Sequence, residues 1–320
     1  MSEATPTVTK LKKDSQVKGR APRSSLLLDT IKYLFRNRSA VLGMIIILLL
    51  ILVALTASLV APYDPIQSMI GQPGHSGQLP ARAPCIHLLG CPVTEPEHLM
   101  GLDLNARDQF SRLLFGSRVS LIVGFSSVTF AILVGSTLGM VAGFLGGWVD
   151  NVIMRFMDVL LAFPSLLLAI AIVTVLGPGL QNALLAIALV SIPQYARLAR
   201  ASVLATKEYE YITAVRALGA TPARILIQHV APNSLTPLIV QGTLGIGGAV
   251  LEAAALSFLG LGAQPPTPEW GAMLSEARNR VFTSPHLVFY PGLAIMITVL
   301  GFNLLGDGMR DALDPRLNRN

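Results

Sequence analysis

Two ionisable residues stand in stretches that are otherwise apolar. Glu252 lies deep in the run 235–261, and Asp158 lies near one end of the run 152–176. An ionised side chain at bilayer depth costs about 2.5–3.5 kcal/mol on insertion scales, so such residues face a partner or a water-filled cavity. Glu252 could line a passage or pair with a donor on a neighbouring subunit, while Asp158 reads as a helix-start charge. Cys85 and Cys91 are the only cysteines, and they share a loop with His75, His87 and His98. On an oxidising face they could close a small disulfide or stay as thiols. A metal site is conceivable there, but the spacing is not that of a zinc module and no metal ligands are assigned.

The third group is a polar, basic island at 207–233, KEYEYITAVRALGATPARILIQHVAPN, set between apolar runs. Glu208, Glu210, Arg216, Arg224 and His229 keep it out of hydrocarbon. Its pattern predicts a short helix from Glu208 to Leu218, ended by Gly219, where a left-handed residue suits glycine. A second helix is expected after Thr221 as N-cap and Pro222 at N1, running towards Pro232. A helix–glycine–helix element on a membrane face offers a compact knob to a soluble partner.

These residues need a scaffold, and composition says which kind. The 320 residues are 52% hydrophobic and 13% charged with mean hydropathy +0.60, too apolar for an ordinary soluble domain. Aromatics make up only 6% against 28 glycines, which suits close-packed membrane helices. The first span is expected at 40–61, an uncharged run of about 33 Å at roughly 1.5 Å per residue. A retained anchor is read here; ASLVA resembles a cleavage site, but the run is longer than a signal-peptide core. Five further spans read as 118–145, 152–176, 183–204, 235–261 and 286–306. Before them, 1–23 is expected to be disordered. Residues 24–38 form an interfacial amphipathic helix or an extension of the first span. The loop 62–117 ends in a polar interfacial helix, ARDQFSRLLFGSR. The expected divisions are therefore a basic tail and amphipathic helix at 1–39, the first span, the outer loop 62–117, a five-helix core at 118–306 containing the cytoplasmic loop 205–233, and a tail at 307–320.

Six spans put both ends on one face. Of the 24 Lys and Arg, 18 fall on the face holding the N-terminus, island and tail, and six on the other. That places the N-terminus, island and C-terminus in the cytoplasm. The net charge of +6 follows from this placement. Five Lys and Arg over 197–229 without an aromatic platform are a weak nucleic-acid footprint, so no nucleic-acid partner is expected. No stretch reads Gly-x-x-x-x-Gly-Lys-Ser/Thr, so ATP is not bound by that route, and no HExxH or catalytic triad is suggested. The chain is expected not to be an enzyme.

Several stretches resemble the permeases of ABC importers, in the dipeptide, oligopeptide and nickel branch. The island resembles that family's cytoplasmic EAA loop, with Thr213, Ala214 and Val215 where the family has Glu-Ala-Ala, then Gly219 and later Pro232. The glutamate and second alanine are replaced. LMGLDLNARDQFSRLLFGSRVSL (99–121) resembles the family's Gly-Thr-Asp, Gly-Arg-Asp, Ser-Arg-Leu segment at Gly101, Asp103, Arg107, Asp108, Ser111 and Arg112, while Leu102 and Ala106 depart. LEAAALSFLGLGAQPPTPEWGAML (251–274), YLFRNRSAVLG, APYDP and DALDPRL extend the resemblance over roughly 30–318.

The resemblance implies an all-α, six-span, type I ABC importer permease in a bacterial inner membrane, in contact with membrane lipid. It implies a partner permease, two ATP-binding subunits that hold ATP and Mg, and an extracytoplasmic solute-binding protein delivering peptides. Tyr211, Thr213, Ala214, Ala217, Leu218, Gly219, Ala220 and Pro232 would form the ATPase-coupling loop. Asp103, Arg107, Asp108 and Trp270 would belong either to a docking surface for the binding protein or to a cap on the helix bundle. A competing reading is a secondary carrier or channel using Glu252 and Asp158 as ion sites, but no convincing internal repeat supports it.

Overall fold

The computed structural model describes residues 34–72 and 79–313. The expectations for 1–23, for most of the amphipathic segment 24–38, for His75 and for the end of the tail lie outside those residues. Helix α1 spans Arg38–Val60, opened by the Asn37 carboxamide, which accepts from the Ser39 and Ala40 N–H groups. Helix α2 spans Gln109–Leu145, α3 Gly147–Leu161, α4 Ser165–Leu176 and α5 Leu180–Thr206. Helix α6 spans Glu210–Ala217, α7 Pro222–Phe258, α8 Trp270–Ala277 and α9 His286–Leu313. No strand occurs among the described residues beyond the isolated bridges Cys85–His98 and Leu102–Asp108.

Three boundaries differ from the sequence expectation. The polar helix before 118 is not a separate element: α2 starts after Asp108, whose carboxylate caps Ser111 N–H, and runs unbroken for 37 residues. The outer loop therefore ends at 108. The span expected at 152–176 is two helices, α3 and α4, bent by 90°. Pro164 drives the residue before it out of helical geometry, which breaks the run at 162–164. The second island helix does not stop near Pro232; it continues through Pro232 and Pro237 to Phe258. A π turn at Leu226–Val230 accommodates Pro232, with Ala231 N–H bonding the Leu226 carbonyl. Among the described residues, five helices are long and apolar enough to cross a membrane, six if the bent α3–α4 pair is one span.

The α2–α5 packing forms the centre of the bundle. Gly135, Gly139 and Gly143 recur every fourth residue on α2 and bring its backbone against Ile192, Ala196 and Arg200 of α5. Helix α1 lies on α9, where Gly43, Gly301 and Gly308 permit the approach. Asn37 Nδ2 donates to Asp311 Oδ2 at 3.1 Å, so the start of α1 and the end of α9 share one face of the bundle.

Candidate functional site

The island folds into a knob fixed from beneath. Ile212 of α6 is fully buried with Val203, Ile225 and Val230, so α6 is pinned to the ends of α5 and α7. Gly219, at φ +83°, ends α6 as the sequence predicts. Its N–H bonds the Arg216 carbonyl and the Ala220 N–H bonds the Val215 carbonyl, a Schellman closure. Thr221 Oγ1 then accepts from Arg224 N–H and opens α7. Tyr211 Oη donates to the His229 carbonyl at 3.2 Å, and Asn233 Nδ2 donates to both Tyr211 Oη and that carbonyl. The Tyr211 hydroxyl and the Asn233 carboxamide thus tie α6 to the His229 carbonyl of the π turn. Lys207 Nζ reaches the Gly143 carbonyl at 3.2 Å and holds the knob's root to α2. Burial pushes the Tyr211 hydroxyl above its usual range, with Tyr209 adding to it.

On the outer surface of the knob Thr213, Ala214, Ala217, Leu218 and Gly219 are exposed, as is Pro232, while Ala220 is half-buried. Leu218 exposes 87% of its surface at the tip. An apolar side chain held out on a twice-anchored turn is suited to a socket on another protein.

The two intramembrane carboxylates have partners. Asp158 Oδ1 meets Arg197 Nη2 at 2.5 Å, with both side chains half-exposed, so it is more than a helix-start charge. Asp150, at the start of α3, takes a bidentate contact from Arg200 at 2.5 and 2.6 Å. Together these pairs clamp α3 on α5 around a cavity of about 670 Å³. Glu252 meets the Ser165 hydroxyl at the first turn of α4. The free N–H groups and dipole of a helix's first turn also favour a carboxylate. The donor is therefore in this chain.

The four residues expected to face a solute-binding protein are all inside. Asp103, Arg107, Asp108 and Trp270 are each at most 5% exposed. Arg107 donates to Asp103 and to Glu276 of α8 at 2.6 and 2.8 Å. Arg112 bridges Asp103 and the Pro65 and Pro266 carbonyls. Asp108 holds His98 Nδ1 at 2.8 Å, and Trp270 Nε1 donates to the Leu113 carbonyl. Their spacing marks them as special but not which way they point. They lock the outer loop, α2 and α8 together, and any docking surface is formed by what they support. Burial also pushes the Tyr63 hydroxyl up, aided by Asp108 and Glu97. Cys85 and Cys91 are joined as a disulfide with Cα atoms 5.4 Å apart. Glu95 lies beside them, yet the bonded sulfurs are not thiolate ligands, and no metal site is assigned.

A family model described as the binding-protein-dependent transport system inner membrane component matches residues 135–319, more than half of the chain. The chain belongs to this family. A second model, the N-terminal TM domain of oligopeptide transport permease C, matches residues 25–76 of the permease. The permease is 48% identical over 289 residues to the dipeptide transport system permease protein DppC of Alkalihalophilus pseudofirmus, covering 90% of each chain. It is 45% identical over 282 residues to the glutathione transport system permease protein GsiD of Pectobacterium atrosepticum, covering 88% of each. Among solved structures it is similar to the inward-facing MetNI methionine ABC transporter, with TM-score 0.53 and 20% identity over 64% of this chain and 98% of that one. The fold is that of a type I ABC importer permease, a multi-pass component of the inner membrane.

The sequence reading missed several residues of the permease that carry its geometry. Asp150 and Arg200 were not singled out by type or spacing. Glu276 and Glu269 gave no signal by type, and His98 was noted only beside the cysteines, not as the partner of Asp108. The Gly-x-x-x-Gly-x-x-x-Gly spacing at 135–143 is legible and would have located the α2–α5 seam.

Proposed function

We propose that this permease imports peptides by forming a translocation pathway with a second, homologous permease and coupling it to two ATP-hydrolysing subunits. The observation that carries this reading is the 206–233 knob: buried at Ile212, closed at Gly219, tied by Tyr211 to the π turn, and presenting Leu218 outward. ATP with its magnesium is bound by the partner subunits, whose closure moves the knob and, through Lys207 and Val203, the ends of α2 and α5. An extracytoplasmic binding protein delivers the solute to the opposite face, where the outer loop and α8 form one block. The 18-to-6 distribution of Lys and Arg supports placing the knob and both ends of the chain in the cytoplasm. Peptides are favoured because the relatives' names specify a dipeptide and glutathione, itself a small peptide.

The test is co-purification of the tagged chain from membranes, with ATP-dependent uptake of dialanine by the reconstituted complex. Wild type is expected to bring down an ATPase and a second permease. Gly219→Trp is expected to lose the ATPase and keep the permease. A chain that purifies alone and transports without ATP would overturn the reading.

A further inference from the structure

The cavity between α3 and α5 carries more positive than negative charge. Its polar wall is Asp150, Asn151, Arg155, Asp158, Arg197 and Arg200, three guanidinium groups against two carboxylates. Arg200 is occupied in both directions by Asp150. Arg197 gives one nitrogen to Asp158 and leaves the rest of its fork to the cavity. Arg155 is exposed on the same wall, with no ion pair or hydrogen bond among the described residues.

Depth makes this arrangement informative. Arg197 lies nine residues before the end of α5 at Thr206, about 13 Å along a helix of roughly 1.5 Å per residue. Arg197 keeps Asp158 as its counter-charge, whereas Arg155 has none on this wall, and an unpaired guanidinium facing lipid would cost several kcal/mol. By contrast, the outward face of α1, with Leu42, Ile45, Leu48, Leu49, Leu52 and Leu55 exposed, carries no charge and suits hydrocarbon. The uncharged face of α1 therefore suits lipid, and the charged wall between α3 and α5 suits water. The cavity, at about 670 Å³, is also the right size for a small solute.

We propose that this cleft is a carboxylate subsite of the pathway. Arg155 and the free fork of Arg197 receive the terminal carboxylate of a peptide in transit, and the Asp158 pair keeps Arg197 extended. The proposal rests on the peptide-import reading above. Planar guanidinium forks match a carboxylate in a way that a lysine does not. Asp158 beside Arg197 also weakens the site, which suits a group that must release its cargo.

The experiment uses the assembled complex in proteoliposomes. Asn151→Cys places a reporter thiol on the cavity wall, the chain's own cysteines being joined to each other. Its labelling by an anionic thiosulfonate is followed with dialanine, with dialaninamide and without peptide. Dialanine is expected to slow labelling by about tenfold, the scale of a charge-assisted contact, and dialaninamide to leave it unchanged. Adding Arg155→Gln should abolish the protection, and Arg155→Lys should restore only part of it. The proposal fails if the thiol is unreactive in the complex, if both peptides protect alike, if neither protects, or if Arg155→Gln is protected as before. ATP-dependent dialanine uptake by the parent complex without the reporter reads the import function separately, so a lost subsite and a lost function give different results.

Discussion

At the scale of single residues, the knob depends on one backbone conformation and one hydroxyl. Gly219 sits at φ +83° with no atom near an added Cβ, so its requirement is conformational and not one of space. A non-glycine residue in that region costs about 1–2 kcal/mol, and asparagine tolerates it better than alanine. Gly219→Ala should therefore weaken retention of the ATPase more than Gly219→Asn, although asparagine is larger. Retention of the subunit through a graded salt wash would measure this. The opposite order would mean that steric fit against the partner, and not the turn, sets the interaction. Gly219 and its turn were readable because a helix stop followed by Thr-Pro has a local cause. Tyr211's role was not, since its partners, the His229 carbonyl and the Asn233 carboxamide, lie 18 and 22 residues further along the chain.

At the scale of elements, the outer end is organised by carboxylates taken out of water. Glu269 caps α8, accepting from Ala272 N–H at 2.8 Å and reached by Ser120 of α2. Burial pushes its carboxyl above the usual range, and the N–H groups of Gly271 and Ala272 and the hydroxyls of Ser257 and Ser120 only partly counter this. With the folded value raised, the folded state holds its proton where the unfolded chain has lost it. This residue's contribution to stability should therefore fall as pH rises from the ordinary glutamate value through the raised one, then level off. Glu269→Gln keeps the shape and an acceptor but cannot ionise. Its melting temperature should exceed that of wild type at neutral pH, with the gap closing on acidification. A gap that widens in acid would show the carboxylate to be net stabilising. The sequence placed the spans because long apolar runs have no other use, yet it missed the continuity of α2 and α7 and the α3–α4 bend. Proline, glycine and a few charges interrupt a pattern equally whether the helix ends there or bends around them. Asp103, Arg107 and Asp108 show the complementary limit: polar type marks a residue as exceptional, and only packing says that it faces inward.

For the molecule as a whole, the proposed motion of the knob is carried through α2 and α5 if those two helices move as one body. Their contact is a seam without side chains on one wall: a Cβ at Gly135 would lie 2.6 Å from the Ile192 carbonyl oxygen, and one at Gly139 would overlap the carbonyl of Ala196. Both neighbours are backbone, so neither can turn aside. Gly139→Ala should push the helices apart and cost about 1–3 kcal/mol as an overpacked core does. Gly248 on α7 provides the control, because nothing lies within 4 Å of its added Cβ and alanine there only improves helix propensity. Gly139→Ala is expected to lower the melting temperature of the purified complex and its peptide-stimulated ATP hydrolysis together, while Gly248→Ala leaves both at or above wild type. If Gly139→Ala lowered stability with coupling per folded complex unchanged, the seam would be scaffolding and the signal would have to travel by α7. That helix runs on from the knob to Phe258, and Pro237 within it would then be the next position to vary.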